Sequence, residues 1–171
     1  QQALTIARES EGKVIYDNDT YNLKYHYWDE YDKYHEVHFT DAATNFNTLR
    51  FATEYTLAGT ALWRLGSEDS RIWDFYHNSM SRKALETFDF TEFNKVEATD
   101  DVDFMGDGEI LDVLSTPREG HITPEMDLEQ MLISEERYDS LPSMFVVKQM
   151  GRAMGKKLVL TFDDGPDPVY T

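Results

Sequence analysis

The chain has 171 residues, with 16 Lys and Arg against 33 Asp and Glu, a formal charge of −17. Such an acidic surface repels phosphate backbones, which are held through Lys and Arg, so nucleic acid is excluded as a partner class. The lack of Cys removes disulfide scaffolds, thiol catalysis, Cys-ligated zinc and iron–sulfur clusters, while 40 % apolar and 13 % aromatic residues are enough to bury a core.

Residues Gln1 to Ser10 carry no initiator Met, basic n-region or signal-like apolar segment, so the chain reads as an excised segment. The longest apolar stretches, Ser143 to Val147 and Leu158 to Leu160, fall far short of the ~20 residues a membrane helix needs. In chain order, QQALTIAR reads as the end of a helix stopped near Gly12, and Lys13 to Asp17 begins an extended region. Tyr21, Leu23, Tyr25 and Tyr27 alternate along YNLKYHYW, the period of a half-buried strand. The turn residues Asp29 to Lys33 and a return strand over Tyr34 to Thr40 complete a predicted β-hairpin.

From Asp41, an N-cap candidate, Phe46, Leu49, Ala52 and Thr53 fall at helical spacing up to Gly59. Thr60 to Leu65 reads as a short apolar strand, and Ser67 opens an acidic first turn into a second amphipathic helix. Strand, helix, strand, helix is the order that builds parallel α/β sheet. After Arg82 the character changes. Phe88, Phe90 and Phe93, then Ile110, Asp112 and Leu114 beyond the Gly106-Asp107-Gly108 turn, predict a small β-rich connector. Ile122 to Tyr138 shows no clear period. At the end, Gly155 to Lys157 precede an apolar strand that delivers two carboxylates into a Gly-Pro turn.

That terminal string is Thr161-Phe162-Asp163-Asp164-Gly165-Pro166-Asp167-Pro168. Adjacent Asp residues at a strand end project in different directions, so one can ligate a divalent metal while the other handles a proton; a bare pair more often reads as a polar turn after a strand. The full string resembles the first motif of the NodB-type polysaccharide deacetylases, carbohydrate esterase family 4. The resemblance implies Asp163 as the general base and Asp164 as a metal ligand. The family's other ligands, a His-x-x-x-His motif, are expected beyond Thr171.

A second resemblance covers roughly residues 1 to 80. The run HEVHFTDAATNFNTLRFATEYTLAGTALWRLGSEDSRIW is similar to the last two βα units of a family 18 glycoside hydrolase barrel with an α+β insertion before strand seven. It implies an α/β fold in which the hairpin from Lys13 to Glu30 ends the insertion. Glu36 to Thr40 would be strand seven and Thr60 to Leu65 strand eight of a TIM-type barrel. Trp63 is then a substrate-binding aromatic at the C-terminal end of strand eight, with Asp41 near the rim. Alone, Trp63 is also consistent with a core aromatic. The family's catalytic DxxDxDxE motif does not occur in the chain.

Gly106 to Arg137 resembles the linker of fusions that join such a barrel, a NodB-type deacetylase and a family 2 glycosyltransferase. The expected organisation is therefore residues 1–82 as the end of a barrel, 83–154 as a β-rich linker and 155–171 as the start of a deacetylase. The implied parent N-deacetylates a GlcNAc-type polysaccharide with a divalent metal such as zinc, and is membrane-associated with extracytoplasmic domains. The segment itself is expected to be soluble, inactive and without a cofactor of its own. It is also expected to form a homo-oligomer through open strand edges.

Weaker motifs have plainer readings. The run from Asp101 to Asp112 resembles a calcium loop, with Met105 and Asp112 out of pattern. His35 and His38 flank Glu36 without the spacing of a zinc helix. The aromatics Tyr21, Tyr25, Tyr27, Trp28, Tyr31 and Tyr34 fit either a sugar-stacking platform, which would make the chain a glycan-binding or protein-interaction module, or hairpin packing.

Overall fold

The fold is taken from a computed structural model that describes residues 2–99, 101–152 and 155–156. Helix α1 (Gln2–Glu9) buries Leu4 and Ala7 and ends in a Schellman-type turn, where Gly12 N–H donates to the Ala7 carbonyl at 2.8 Å. The hairpin forms where the alternation places it. Strand β1 (Ile15–Asp17) pairs antiparallel with β2 (Asn22–Trp28), which pairs antiparallel with β3 (Tyr34–Phe39). At its tip the Asp29 carboxylate accepts from the backbone N–H groups of Tyr31 (2.8 Å) and Lys33 (2.9 Å), which fixes the turn.

Helix α2 (Ala42–Glu54) starts at Asp41 with a complete capping box, in which Thr44 N–H donates to the Asp41 carboxylate and Asp41 N–H to the Thr44 hydroxyl. It stops before Gly59, because Thr56 takes the left-handed conformation (φ 54°) and Leu57 N–H closes onto the Ala52 carbonyl. Its buried face is Ala43, Phe46, Asn47 and Arg50, two of them polar, in place of the expected apolar row through Leu49 and Ala52.

Beyond α2 the barrel expectation is overturned. Thr60 to Leu65 is a largely exposed loop, and the helix expected from Ser67 is a single 3-10 turn, Ser70–Asp74, capped by Asp69. The described residues form three three-stranded sheets with three short helices, and no barrel closes. The physical reason lies in β3. A barrel strand is buried between parallel neighbours, whereas β3 takes the antiparallel β2 as its partner and half of its residues remain exposed.

The chain divides into two compact units. The first joins residues up to Thr99 to Arg118–Ser143; it adds α3 (Arg82–Leu85) and a sheet of β4 (Lys95–Val96), β7 (Gly120–Asp127) and β8 (Leu132–Ser140), in the order β4-β7-β8. Thus 118–143, which the sequence assigns to the linker, folds with the N-terminal part. Phe88, Phe90 and Phe93 do not alternate along a strand. They surround a 3-10 turn, Phe90–Asn94, capped by Asp89, and pack their rings on Phe46.

The second unit is a sheet in which β9 (Phe145–Met150) lies between β5 (Val102–Asp107), parallel to it, and β6 (Ile110–Ser115), antiparallel to it. The Gly106–Gly108 turn therefore passes over the end of β9 and does not close a hairpin. A Cβ on Gly108 (φ 132°) would meet the Met150 carbonyl carbon at 2.1 Å, so only glycine fits there. Among the described residues no helix is long and apolar enough to cross a membrane.

Candidate functional site

A cluster of buried charge lies inside the first unit, where the start of α2, the Ser70–Asp74 turn and strand β8 meet. Asp41, Asp69, Arg71, Glu136 and Tyr138 converge there. Asp41 is 2 % and Glu136 3 % exposed. Arg71 holds the cluster. Its guanidinium donates to the Asp69 carboxylate through Nε (3.0 Å) and Nη2 (2.5 Å), and its Nη1 donates to the carbonyls of Phe93 (3.1 Å) and Lys95 (2.7 Å). Nη2 also lies 3.7 Å from Asp41 Oδ2. Asp69 accepts from Ala42 N–H at 3.1 Å, and Asp41 Oδ2 accepts from the Tyr138 hydroxyl at 2.8 Å. One guanidinium thereby ties a helix start, a 3-10 turn and a strand together, the planar bidentate use for which Arg is suited.

Electrostatics follow from this count of charges. Burial alone would raise the Asp69 carboxyl, but the hydrogen bonds and charge of Arg71 hold it below its ordinary value. Burial works against the Arg71 charge as well, and the Asp69 and Asp41 carboxylates keep it firmly protonated. With Asp41 and Asp69 facing one Arg, a third negative charge has no counter-ion. Neither oxygen of Glu136 finds a donor among the described residues, and a hydrogen bond to Asp41 requires Glu136 to carry a proton. Burial, then the neighbouring Asp41, push the Glu136 acid well above the usual carboxylate range. Burial, then the charge of Asp41 and that of Glu136 once ionised, raise the Tyr138 phenol likewise.

The linkage has a definite sign. An acid whose pKa is higher in the folded state binds more protons folded than unfolded, so stability falls as pH rises from its ordinary value of 4.5 toward the raised one. Asp69 acts oppositely, its stabilisation being lost only as pH drops below 3.8. We therefore expect urea midpoints of the wild-type chain to decline as pH rises above 4.5. Glu136→Gln should flatten this decline and be the more stable form at the alkaline end. Parallel profiles for the two proteins would show that Glu136 does not hold the extra proton.

Beside the cluster opens a cleft of about 40 Å³, lined by Thr40, Asp41, Ser67, Asp69, Ser70 and Glu97 among others. It has room for an ordered water, which takes ~30 Å³, and none for a sugar ring. The arrangement can hold and share protons internally, and it secures the fold.

The sequence-derived candidates fall in separate places. Asp41 lies in this buried cluster, its carboxylate committed to Thr44, Tyr138 and Arg71. Trp63 is 95 % exposed on the loop that replaces the expected eighth strand and does not line the cleft. Asp163 and Asp164 lie outside the described residues. His35 and His38 occupy opposite faces of β3 and bond to Asp29 (2.9 Å) and Glu36 (2.8 Å), respectively. Asp101 to Asp112 spans β5, a turn and β6, which is not the geometry of a loop wrapped around calcium. Among the described residues no group of three or more His, Cys, Asp or Glu side chains is placed to hold a metal.

Sequence reasoning missed Asn47, Arg71 and Glu136. Asn47 acts as a one-residue strand partner for β8: its Nδ2 donates to the Ile133 carbonyl (2.7 Å) and its Oδ1 accepts from Ile133 N–H (2.9 Å). The available signal was its place on the same helical stripe as Ala43, Phe46 and Arg50. The aromatic hairpin divides in two. Tyr25 is fully buried, while Trp28, Tyr31 and Tyr34 are 64 %, 73 % and 51 % exposed, with Trp28 and Tyr34 paired across the strands at 5.4 Å. Comparison of the chain with family models, with curated proteins and with solved structures yields no match.

Proposed function

We propose that the chain belongs to a polysaccharide-processing protein that removes N-acetyl groups from a GlcNAc-type polymer in a metal-dependent reaction. The observation that carries this reading is the string from Thr161 to Pro168, which resembles the first motif of the NodB-type deacetylases. Deacetylation is amide hydrolysis: water adds to the acetyl carbonyl, the C–N bond breaks and acetate leaves. On this reading Asp163 accepts the proton of the attacking water, the role of a positioned carboxylate base. The bound cation would polarise the carbonyl and acidify the water. Asp164 by itself does not make a metal site, and the described residues add no cluster able to complete one.

The exposed pair Trp28 and Tyr34 favours a second reading, a glycan-holding module without catalysis. Their rings stand on the outward face of the hairpin beside Glu36 and His38, an apolar surface with polar groups at its margin that suits pyranose stacking.

One experiment separates these. The 171-residue chain, and a version extended by its natural downstream sequence, are incubated with chito-oligosaccharides and zinc while acetate release and Trp fluorescence are followed. The expected result is no acetate from the short chain, metal-dependent release from the extended one, and loss of that release by a factor of at least ~100 in Asp163→Asn. Fluorescence quenching by the oligosaccharide with no acetate from the extended chain would replace the first reading by the second. Turnover by the short chain would overturn the assignment of the missing ligands.

A further inference from the structure

A partly enclosed cavity that carries cationic groups lies at the far end of α2 from the buried acid cluster. Its volume is about 220 Å³, and it is lined by Arg50, Phe51, Glu54, Tyr55, Arg82 and Leu132, with Gln130 at its margin. An apolar cavity of ~150 Å³ accepts benzene, so this space suits one six-membered ring and a small substituent.

Its charge is unusual for the chain. In a protein of net charge −17, two arginines and one glutamate line this cavity. Arg50 is 6 % exposed, and its ion-pair partner among the described residues is Glu54 at 2.7 Å, whose side chain is 60 % exposed. Among the described residues the Arg50 Nε–H has no hydrogen-bond partner. A guanidinium carries five N–H donors, and here the buried Nε–H is left without an acceptor beside one solvent-screened carboxylate. Arg82 donates to the Glu129 carbonyl, which ties it to the β7–β8 turn and holds its charge at the cavity wall. Tyr55, 72 % exposed, offers a ring face at the entrance, and Gln130 offers an amide.

We propose that this cavity binds a small ring bearing a carboxylate, of the hexuronate class: the carboxylate displaces Glu54 from Arg50 and pairs with both guanidiniums, and the ring lies against Tyr55. A carboxylate matches the guanidinium fork in two parallel hydrogen bonds, and an aromatic face with an adjacent amide suits a hydroxylated ring. The C-terminal end of α2 places partial negative charge nearby, so the two Arg side chains must outweigh both it and Glu54. Affinity is accordingly in the millimolar range, about −4 kcal/mol. The site is independent of the deacetylase reading.

The test is a titration of the 171-residue chain with glucuronate, followed by amide and Arg Nε–H NMR shifts. The expected result is saturable movement of the Tyr55, Gln130 and Leu132 amides, weaker movement with acetate and none with glucose at equal concentration. Glu54→Gln removes the internal competitor and should tighten glucuronate about fivefold, the worth of one screened ion pair. Arg82→Glu should abolish binding. Both positions are surface-accessible, so neither variant threatens folding as replacement of Arg50 would; thermal melts confirm that the fold is kept. Shifts that do not saturate with glucuronate, equal binding of glucose, or an affinity unchanged in both Glu54→Gln and Arg82→Glu would overturn the proposal.

Discussion

Replacing Arg71 by Met is expected to destabilise the first unit by about 3–5 kcal/mol, the usual cost of removing one partner from a buried ion pair. The change keeps most of the side-chain volume and deletes the guanidinium that serves Asp69, Asp41 and the carbonyls of Phe93 and Lys95. Two carboxylates then remain in a buried space without a cation, and each must take up a proton or draw in water. Arg71→Lys should recover only part of the loss, because an ammonium group cannot span the Asp69 oxygens and both carbonyls as the planar fork does. Urea unfolding followed by far-UV circular dichroism measures both variants. A loss below about 1 kcal/mol in Arg71→Met would mean that the cluster is solvated and that Arg71 acts as an ordinary surface ion pair.

Phe46→Ala should cost a similar amount, about 3–5 kcal/mol, by a different mechanism. Phe46 is fully buried, and its ring contacts those of Phe75, Phe88, Phe90 and Phe93 at centroid distances of 5.4–5.8 Å. Three of these contacts are edge-to-face and the fourth is tilted, so truncation loses quadrupole contacts together with buried area and leaves a cavity at the centre of the aromatic group. Phe46→Leu refills part of that space and should cost clearly less. Near-UV circular dichroism reads the packing directly: the aromatic signal should collapse in Phe46→Ala while the far-UV spectrum is kept. An unchanged near-UV spectrum with little loss of stability would show that these rings do not depend on Phe46. The two variants probe separate supports of one unit, charge pairing at the start of α2 and ring packing along it.

Local structure is where the amino-acid order speaks most directly. The alternation of Leu23, Tyr25 and Tyr27 and the turn at Asp29 lead straight to the antiparallel pairing of β2 and β3, because a strand face and a tight turn are decided by neighbours two to four residues apart. Asp41 declares itself as an N-cap for the same reason: the hydroxyl and N–H that answer it belong to Thr44. The same local order misleads at Thr60 to Leu65. An apolar run becomes a parallel strand only where neighbours are present to pair with it, and here it stays a loop.

The charged cluster is a product of tertiary structure. Tyr138 reaches Asp41 across 97 positions, and Asn47 meets Ile133 across 86. No periodicity reports a meeting at that separation, so Glu136 lies unmarked in a stretch without a clear period, and only the packing of β8 against α2 buries it and raises its pKa. The order of β5, β9 and β6 has the same origin, since the strand that enters between the other two arrives some thirty residues later in the chain. The sequence by itself determined the hairpin, the start of α2, the acidic surface and the terminal Asp163-Asp164 motif. Which carboxylates face water, which strands pair and where the cationic cavity opens were decided by tertiary structure, because those outcomes rest on desolvation and long-range pairing.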